Sequence, residues 1–167
     1  MRKKVQQGFT LIELLVVVVL LGIVTSFAVL SMGTGSIERE MEEEAKRLHA
    51  LISLIREESI IQAKEIAMEV KQQEYSFLEY KNKKWLAFKT KVFQKRKIKQ
   101  GLELTVNADS KSQFFKSSEE DLLRIYFLSS GEQTPFQIRL NVKGESRPYY
   151  QLSGLFNGKL TLEYVDN

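Results

Sequence analysis

The chain opens with a long apolar stretch. From Phe9 to Met32 almost every side chain is apolar, and Glu13 is the sole ionisable group. At about 1.5 Å of rise per residue, a helix of this length spans the roughly 30 Å hydrocarbon core of a bilayer. We therefore expect a transmembrane helix over residues 9–32.

A helical pattern resumes after Gly33 and Ser36. Apolar residues recur at steps of three and four, which predicts an amphipathic helix over residues 33–64 that ends near Ala63 and bends near Gly33. Ser36 is a candidate N-cap because acidic residues follow it. The apolar face contains Ile37, Met41, Ala45, Leu48, Leu51, Ile52, Leu54 and Ile55, and the polar face contains Glu40, Glu43, Glu44, Arg47, Arg56 and Glu57.

The period changes to two after Lys64. Short alternating segments separated by Gly, Asn and Ser predict an antiparallel β domain over residues 65–167. Asn157-Gly158 predicts a type I′ hairpin turn, and Ser129 to Phe136 is interpreted as a hairpin that sets strand register, with an exposed contact loop as the alternative. The predicted strands are 66–70, 75–80, 85–88, 102–106, 123–128, 136–142, 149–155 and 160–165.

Charge distribution gives the predicted topology. Arg2, Lys3 and Lys4 precede the apolar stretch, so the N-terminus is expected in the cytoplasm and the C-terminal domain across the membrane. A secretory signal peptide is the competing assignment, but this apolar core is longer than a typical one. Without the first eight residues, the 167-residue chain has 22 basic and 21 acidic residues, so its formal charge of +4 falls to +1 and does not indicate a nucleic-acid partner.

The start of the apolar stretch resembles the class III leader of the type IV pilin and pseudopilin superfamily. The matching residues are a short basic leader ending in Gly8, then Phe9, Thr10, Leu11, Ile12 and Glu13. The resemblance implies that residues 1–8 are a leader, that prepilin peptidase cleaves after Gly8, and that the new N-terminal Phe9 is methylated. It also implies a role for Glu13 in assembly.

Glu13 is a functional candidate on physical grounds as well. An ionisable residue inside a membrane segment is costly and needs a partner. Cleavage before Phe9 creates an ammonium group in an apolar setting, and in a staggered stack of helices the Glu13 carboxylate of one subunit meets the amine of the next. Such a pair offsets two burial costs, whereas breaking it leaves one charge stranded.

A second resemblance covers the β domain. The stretch Ile125-Tyr126-Phe127-Leu128-Ser129-Ser130-Gly131-Glu132-Gln133-Thr134-Pro135-Phe136 is similar to the signature of the minor pseudopilin H family of type II secretion systems. Leu152-Ser153-Gly154 and Asn157-Gly158-Lys159-Leu160 fit the closing hairpin of that family, whereas residues 89–120 match no motif of it.

This resemblance implies an α+β, pilin-like fold in which a long N-terminal helix packs on an antiparallel β-sandwich. It implies a structural minor pseudopilin, placed near the tip of a periplasmic pseudopilus, that supports protein export across the outer membrane. The implied partners are other minor pseudopilins, the major pseudopilin, prepilin peptidase and the inner membrane, which the chain crosses once with its C-terminal domain in the periplasm.

The segment from Lys81 to Lys99 is strongly basic and contains no acid. Interleaved aromatic residues permit single-stranded nucleic-acid binding. Alternatives are a solvated loop, an edge strand protected by lysines, or a patch that meets anionic headgroups or an acidic partner helix. We favour the alternatives and expect no nucleic-acid partner. The candidate partner-contact residues are Lys89, Lys91, Lys95, Arg96 and Lys97.

Nothing in the sequence indicates catalysis. It contains no nucleophile elbow, no phosphate-binding glycine loop and no metal-ligand cluster, and its single histidine, His49, has no cysteine or second histidine as a partner. We therefore expect a non-enzymatic chain without metal or cofactor, and His49 at the surface or at its boundary. Two other functions stay open: a minor type IV pilin of a DNA-uptake or adhesion pilus, and a membrane-tethered periplasmic enzyme.

Overall fold

The computed structural model describes residues 10–31, 34–71, 73–88, 90–108 and 123–166, without the side chains of residues 26–36. The chain divides into two compact units, Met1–Ser36 and Ile37–Asn167, which are described separately.

The first unit contains helix α1, Leu11–Ser31. The hydroxyl of Thr10 accepts a hydrogen bond from the Glu13 amide at 3.3 Å, which is the geometry of an N-cap. Thr25 donates its hydroxyl proton to the carbonyl of Leu21 at 2.8 Å, so this polar side chain is satisfied within the helix. Across the described parts of the chain, no helix combines the length and the apolar character that a membrane crossing requires.

Helix α2, Thr34–Ile61, begins the second unit in chain order. Ser36 therefore lies within its first turn and is not the predicted N-cap. The predicted apolar face is buried except for Leu54, which is 43% exposed, and Ile37, which is partly buried. Ala63 has φ of 49°, and the amides of Ala63 and Lys64 bond to the carbonyls of Ile60 and Ser59. This is a Schellman motif with alanine at the left-handed position, where glycine is usual.

Within the described residues, nine strands form two antiparallel sheets. The first sheet has the order β3-β2-β1-β6, with the short β4 also paired to β2, and the second has the order β5-β7-β8-β9. The strands are β1 Ile66–Lys71, β2 Glu74–Lys81, β3 Lys84–Ala87, β4 Arg96–Lys97, β5 Leu102–Ala108, β6 Leu123–Phe127, β7 Phe136–Val142, β8 Tyr149–Gly154 and β9 Leu160–Val165. The predicted strands are thus confirmed, and β4 is an addition, since two residues carry no readable alternation.

One hydrophobic core joins α2 to both sheets. Met41, Leu48 and Ile52 of α2 share it with Phe77 and Ile125 of the first sheet. Side chains of the second sheet alternate between its two faces, so the apolar residues of its paired strands lie together on the face toward the core. Those residues include Leu104, Val106, Ile138, Leu140 and Leu152. The predicted α+β class, a helix packed on two antiparallel sheets, is confirmed.

The segment from Ser129 to Phe136 begins as the predicted hairpin, because Gln133 forms an antiparallel bridge with Phe127 and the Thr134 amide donates to the Tyr126 carbonyl at 2.9 Å, but it does not pair β6 with β7. It leaves β6, which pairs with β1, and enters β7, which pairs with β5 and β8, so it carries the chain from one sheet to the other. Gln133 and Thr134 are completely buried at the crossing, which also argues against a wholly exposed contact loop. Sequence shows that a turn joins two strands, but not whether those strands pair.

One tight turn also differs from the conformation predicted for it. At Asn157-Gly158 only Gly158 has positive φ, and its amide bonds to the carbonyl of Leu155, so the loop is a type I turn followed by a left-handed glycine. The type I′ conformation occurs instead at Asn82 and Lys83, where φ is 53° and 62° between paired Lys81 and Lys84. The loop between Leu155 and Lys159 has three residues, which favours the type I turn with a left-handed glycine, whereas the loop between Lys81 and Lys84 has two residues, which favours type I′.

Candidate assembly sites

Helix α1 is apolar over its described surface. Large apolar side chains around its whole circumference are exposed, from Leu11 at 86% to Val24 at 64%. A helix that is apolar on all sides requires lipid or other helices around it. The described residues of α1 therefore present an apolar surface that lipid or neighbouring helices would cover.

Glu13 lies in the first turn of this apolar helix. Its amide is held by the Thr10 hydroxyl, so Thr10-Leu11-Ile12-Glu13 has the Thr-x-x-Glu spacing of a capping box. A carboxylate in the first turn also interacts favourably with the helix dipole. This capping signal was readable from the sequence and was missed. The predicted cleavage residues Gly8 and Phe9 lie outside the described residues.

A loop cluster forms at the C-terminal end of α2. We define it as residues 128–135 together with 155–159. The Gln133 amide donates to the Phe156 carbonyl at 3.0 Å, and the Ser59 hydroxyl of α2 donates to the Leu128 carbonyl at 3.3 Å. The side chain of Arg56 packs against Gly158, where an added Cβ would lie 2.7 Å from Nε. The motifs that carry the second resemblance therefore meet in space.

Gly154 determines how closely this cluster packs. A Cβ added to Gly154 would lie 2.5 Å from Gln133 Nε2 and 2.6 Å from Cζ of Phe136. Phe136 is 3% exposed and belongs to the core, so it has little freedom to move away. Glycine at this position lets the inter-sheet crossing lie flat on β8.

The basic stretch is divided by the fold. Lys95 forms an ion pair with Glu74 of β2, and Lys99 bridges to Glu43 of α2 at 3.5 Å. Arg96 is half-buried in β4, whereas Lys91 and Lys97 are exposed, and Lys89 lies outside the described residues. The short β3 is an edge strand with Lys84 at its start, which agrees with the interpretation of a lysine-protected edge.

Glu44 is a correction to the predicted polar face of α2, because it is 1% exposed. Its carboxylate accepts a hydrogen bond from Arg47 at 2.8 Å. Buried Tyr75 of β2 lies near it, and burial, followed by the charge of Glu44, raises the pKa of Tyr75 to about 12. The neighbouring strand β4 brings Arg96 close to the same cluster, a juxtaposition that helical periodicity does not predict.

Within the described ranges, no group of three or more His, Asp or Glu side chains is arranged to hold a metal ion. His49 is partly exposed on α2, as predicted for a boundary residue.

Comparison with known families matches both resemblances. Residues 3–29 match the prokaryotic N-terminal methylation motif, and residues 44–158 match the model of type II transport protein GspH. The type II secretion system protein H of Pseudomonas aeruginosa is 32% identical over 151 residues, which cover 84% of this chain and 86% of that protein. The protein H of Aeromonas hydrophila is 26% identical, covering 89% of this chain and 88% of the relative.

Solved structures show the same fold. The minor pseudopilin EpsH of Vibrio cholerae superposes with a TM-score of 0.62 at 23% identity, covering 75% of this chain and 97% of that one. The solution structure of Escherichia coli GspH superposes with a TM-score of 0.59 at 14% identity, covering 80% and 95%.

An exposed apolar helix with a methylation motif, joined in sequence to a helix on two antiparallel sheets, defines a membrane-anchored subunit of the pilin-like class. Within that class, the match over residues 44–158 and the 32% identity to a protein H show that the chain belongs to the GspH family, the minor pseudopilins of type II secretion systems.

Proposed function

We propose that the chain works as a processed, single-pass subunit near the tip of the pseudopilus. In this proposal residues 1–8 are the cytoplasmic leader, residues 9–32 cross the inner membrane, residues 33–64 continue as the periplasmic helix, and residues 65–167 form the periplasmic β domain. Prepilin peptidase cleaves after Gly8, and Phe9 carries the methyl group. The observation that carries the proposal is α1, whose apolar side chains are exposed on all sides.

Glu13 has a specific electrostatic role in this proposal. After cleavage, the new ammonium group belongs to the residue before Thr10 in sequence, and the positive end of the helix dipole lies at the Thr10 cap. That position disfavours a cation, and a neighbouring Glu13 carboxylate compensates for it. N-methylation leaves the amine basic, so the pair between stacked subunits is preserved.

The proposed partners are the major pseudopilin and other minor pseudopilins, in addition to prepilin peptidase. We propose no catalytic activity, since the relatives are structural pilus subunits. The exposed residues Lys91 and Lys97, with neighbouring Lys89, Lys95 and Arg96, stay a candidate contact patch. The described ion pairs of Lys95 and Lys99 leave less free positive charge there than the sequence indicates, which weakens the case for nucleic-acid binding.

Processing and assembly are tested separately. Intact-mass measurement of the protein from membranes is expected to show loss of eight residues and gain of one methyl group, and Gly8→Ala is expected to block both. Glu13→Leu is expected to be processed and inserted but excluded from the assembled pseudopilus. A Glu13→Gln variant controls for the loss of charge alone. Normal incorporation of Glu13→Leu would refute the pairing, and a mature protein that retains its leader would refute the processing.

A further inference from the structure

Strand β9 presents an open edge. It closes the second sheet and pairs only with β8 in the described parts of the chain. The β8–β9 hairpin closes with the Leu155 amide donating to the Lys159 carbonyl. From this pair onward, hydrogen-bonded and non-hydrogen-bonded residue pairs alternate along the two strands. Thr161, Glu163 and Val165 consequently bond to β8, whereas the backbone N–H and C=O groups of Leu160, Leu162 and Tyr164 point away from the sheet.

This edge lacks the usual protection against strand pairing. Edge strands are commonly kept short or carry lysine, proline or a bulge. The edge strand β3 follows that rule, with four residues, Lys84 at its start and Lys83 before it. In contrast, β9 has six residues, Leu160–Val165, in unbroken register with β8, and none of them is lysine, proline or glycine.

The hydrophobic core extends to the same edge. Leu160 and Leu162 are partly buried against the core, and Tyr164 in the same row is 51% exposed. An added strand would continue this apolar row and cover it, because strand side chains alternate in register across a sheet.

An acidic and aromatic surface lies at the end of this row. The rings of Tyr150 and Tyr164 have centroids 5.0 Å apart. Partial burial raises the pKa of Tyr164, and the charges of Asp166 and of Glu38 on α2 raise it further, so both carboxylates lie near this ring. Neither carboxylate forms an ion pair with a residue of the described ranges. Carboxylates beside an aromatic face are suited to a lysine or arginine side chain.

We propose that β9 is a strand-addition site for an extended segment of a neighbouring pilin-like subunit, with an apolar residue packed on Leu162 and a basic residue against Tyr164 and Glu38. This inference rests on the proposed function, because it requires assembly with other pseudopilins. Backbone pairing supplies affinity in this recognition mode, and the side-chain row supplies specificity.

The experiment uses the full-length chain in its own secreting cells. A photo-crosslinking amino acid replaces Tyr164, and in a matched control it replaces Gln137, which is exposed on the outer face of the same sheet. We expect a crosslink from position 164 to a predicted strand of another pseudopilin, mapped by peptide mass spectrometry, and only the background yield from position 137, which does not lie on the β9 edge.

Two variants test the mode of binding. Leu162→Pro removes an outward amide and leaves the ladder to β8 intact, so it is expected to lower the crosslink about fivefold, whereas Leu162→Val keeps the amide and the crosslink. Glu38→Lys is expected to lower it as well. Equal crosslinks at both positions, equal yields for Leu162→Pro and Leu162→Val, or a crosslink to a second copy or to a partner helix would overturn the inference. Unchanged secretion after deletion of the gene would instead overturn the proposed function.

Discussion

Gly154→Ala tests whether the inter-sheet crossing packs directly on β8. The new methyl group would lie 2.6 Å from Cζ of Phe136 and 2.5 Å from Gln133 Nε2, well inside an ordinary carbon contact of about 3.5–4.0 Å. Phe136 is buried in the core, so the overlap must be relieved by moving the crossing or β8. Overpacking of this kind costs about 1–3 kcal/mol.

The sign of the effect makes this substitution informative. In an unobstructed strand, alanine is more stable than glycine by about 0.5–1 kcal/mol, because glycine loses more backbone entropy on folding. Destabilisation by Gly154→Ala therefore measures the clash, since no positive φ is involved at this position. We expect the urea midpoint of the fragment Ile37–Asn167 to fall by about 1 M, taking a slope of about 2 kcal/mol per molar.

A double-mutant cycle locates the clash. Phe136→Leu shortens the side chain that the methyl group meets, so the double variant is expected to be more stable than the sum of the two losses by about 1 kcal/mol. Gly144→Ala separates the two causes of loss, because this position has open space but φ of 84°, so its destabilisation reports backbone strain alone and should not change with Phe136→Leu. Additive losses within about 0.5 kcal/mol, or stabilisation by Gly154→Ala, would refute the packing proposed for the crossing.

Three further predictions follow from described residues. Tyr75 keeps its proton until about pH 12, whereas an unfolded tyrosine loses it near pH 10, so the folded state binds more protons in this window. The free energy of unfolding should therefore fall as pH rises from 10 to 12, by about 2–3 kcal/mol more than it falls in Tyr75→Phe, as measured by urea titration. Equal losses in the two proteins would contradict this prediction. Ala63→Gly should raise the free energy of unfolding by about 1 kcal/mol, measured by thermal melting, because Ala63 has positive φ. Lys83→Gly should stabilise the type I′ turn by about 0.5–1 kcal/mol, with exposed Lys84→Gly as a destabilising control; equal effects would show that φ is not the cause.

The sequence predicted much of the candidate site because its signals are local. The leader motif, the apolar stretch and Glu13 are contiguous, so the fold does not alter their reading. The strands of the β domain were equally readable from alternation. The signature loops were recognised separately, but their meeting at Arg56 and Ser59 is a product of the tertiary structure.

The sequence could not predict features that depend on distant neighbours. Periodicity placed Glu44 on a polar face, yet β2 and β4 cover it, because residues near the boundary of a helical stripe are buried only if another element reaches them. In the same way, a turn between two strands does not show whether they pair, and Ser129 to Phe136 crosses between sheets.

By itself, therefore, the sequence determined most of the helices and strands and the motif at the N-terminus, since these follow from periodicity and from patterns a few residues long. Only the tertiary structure decided which strands lie at the edges of the sheets, which charges lie beside β9 and which glycine permits the crossing. Those properties arise from the order of strands in two sheets, and that order is set by side chains that meet across the core from distant parts of the chain.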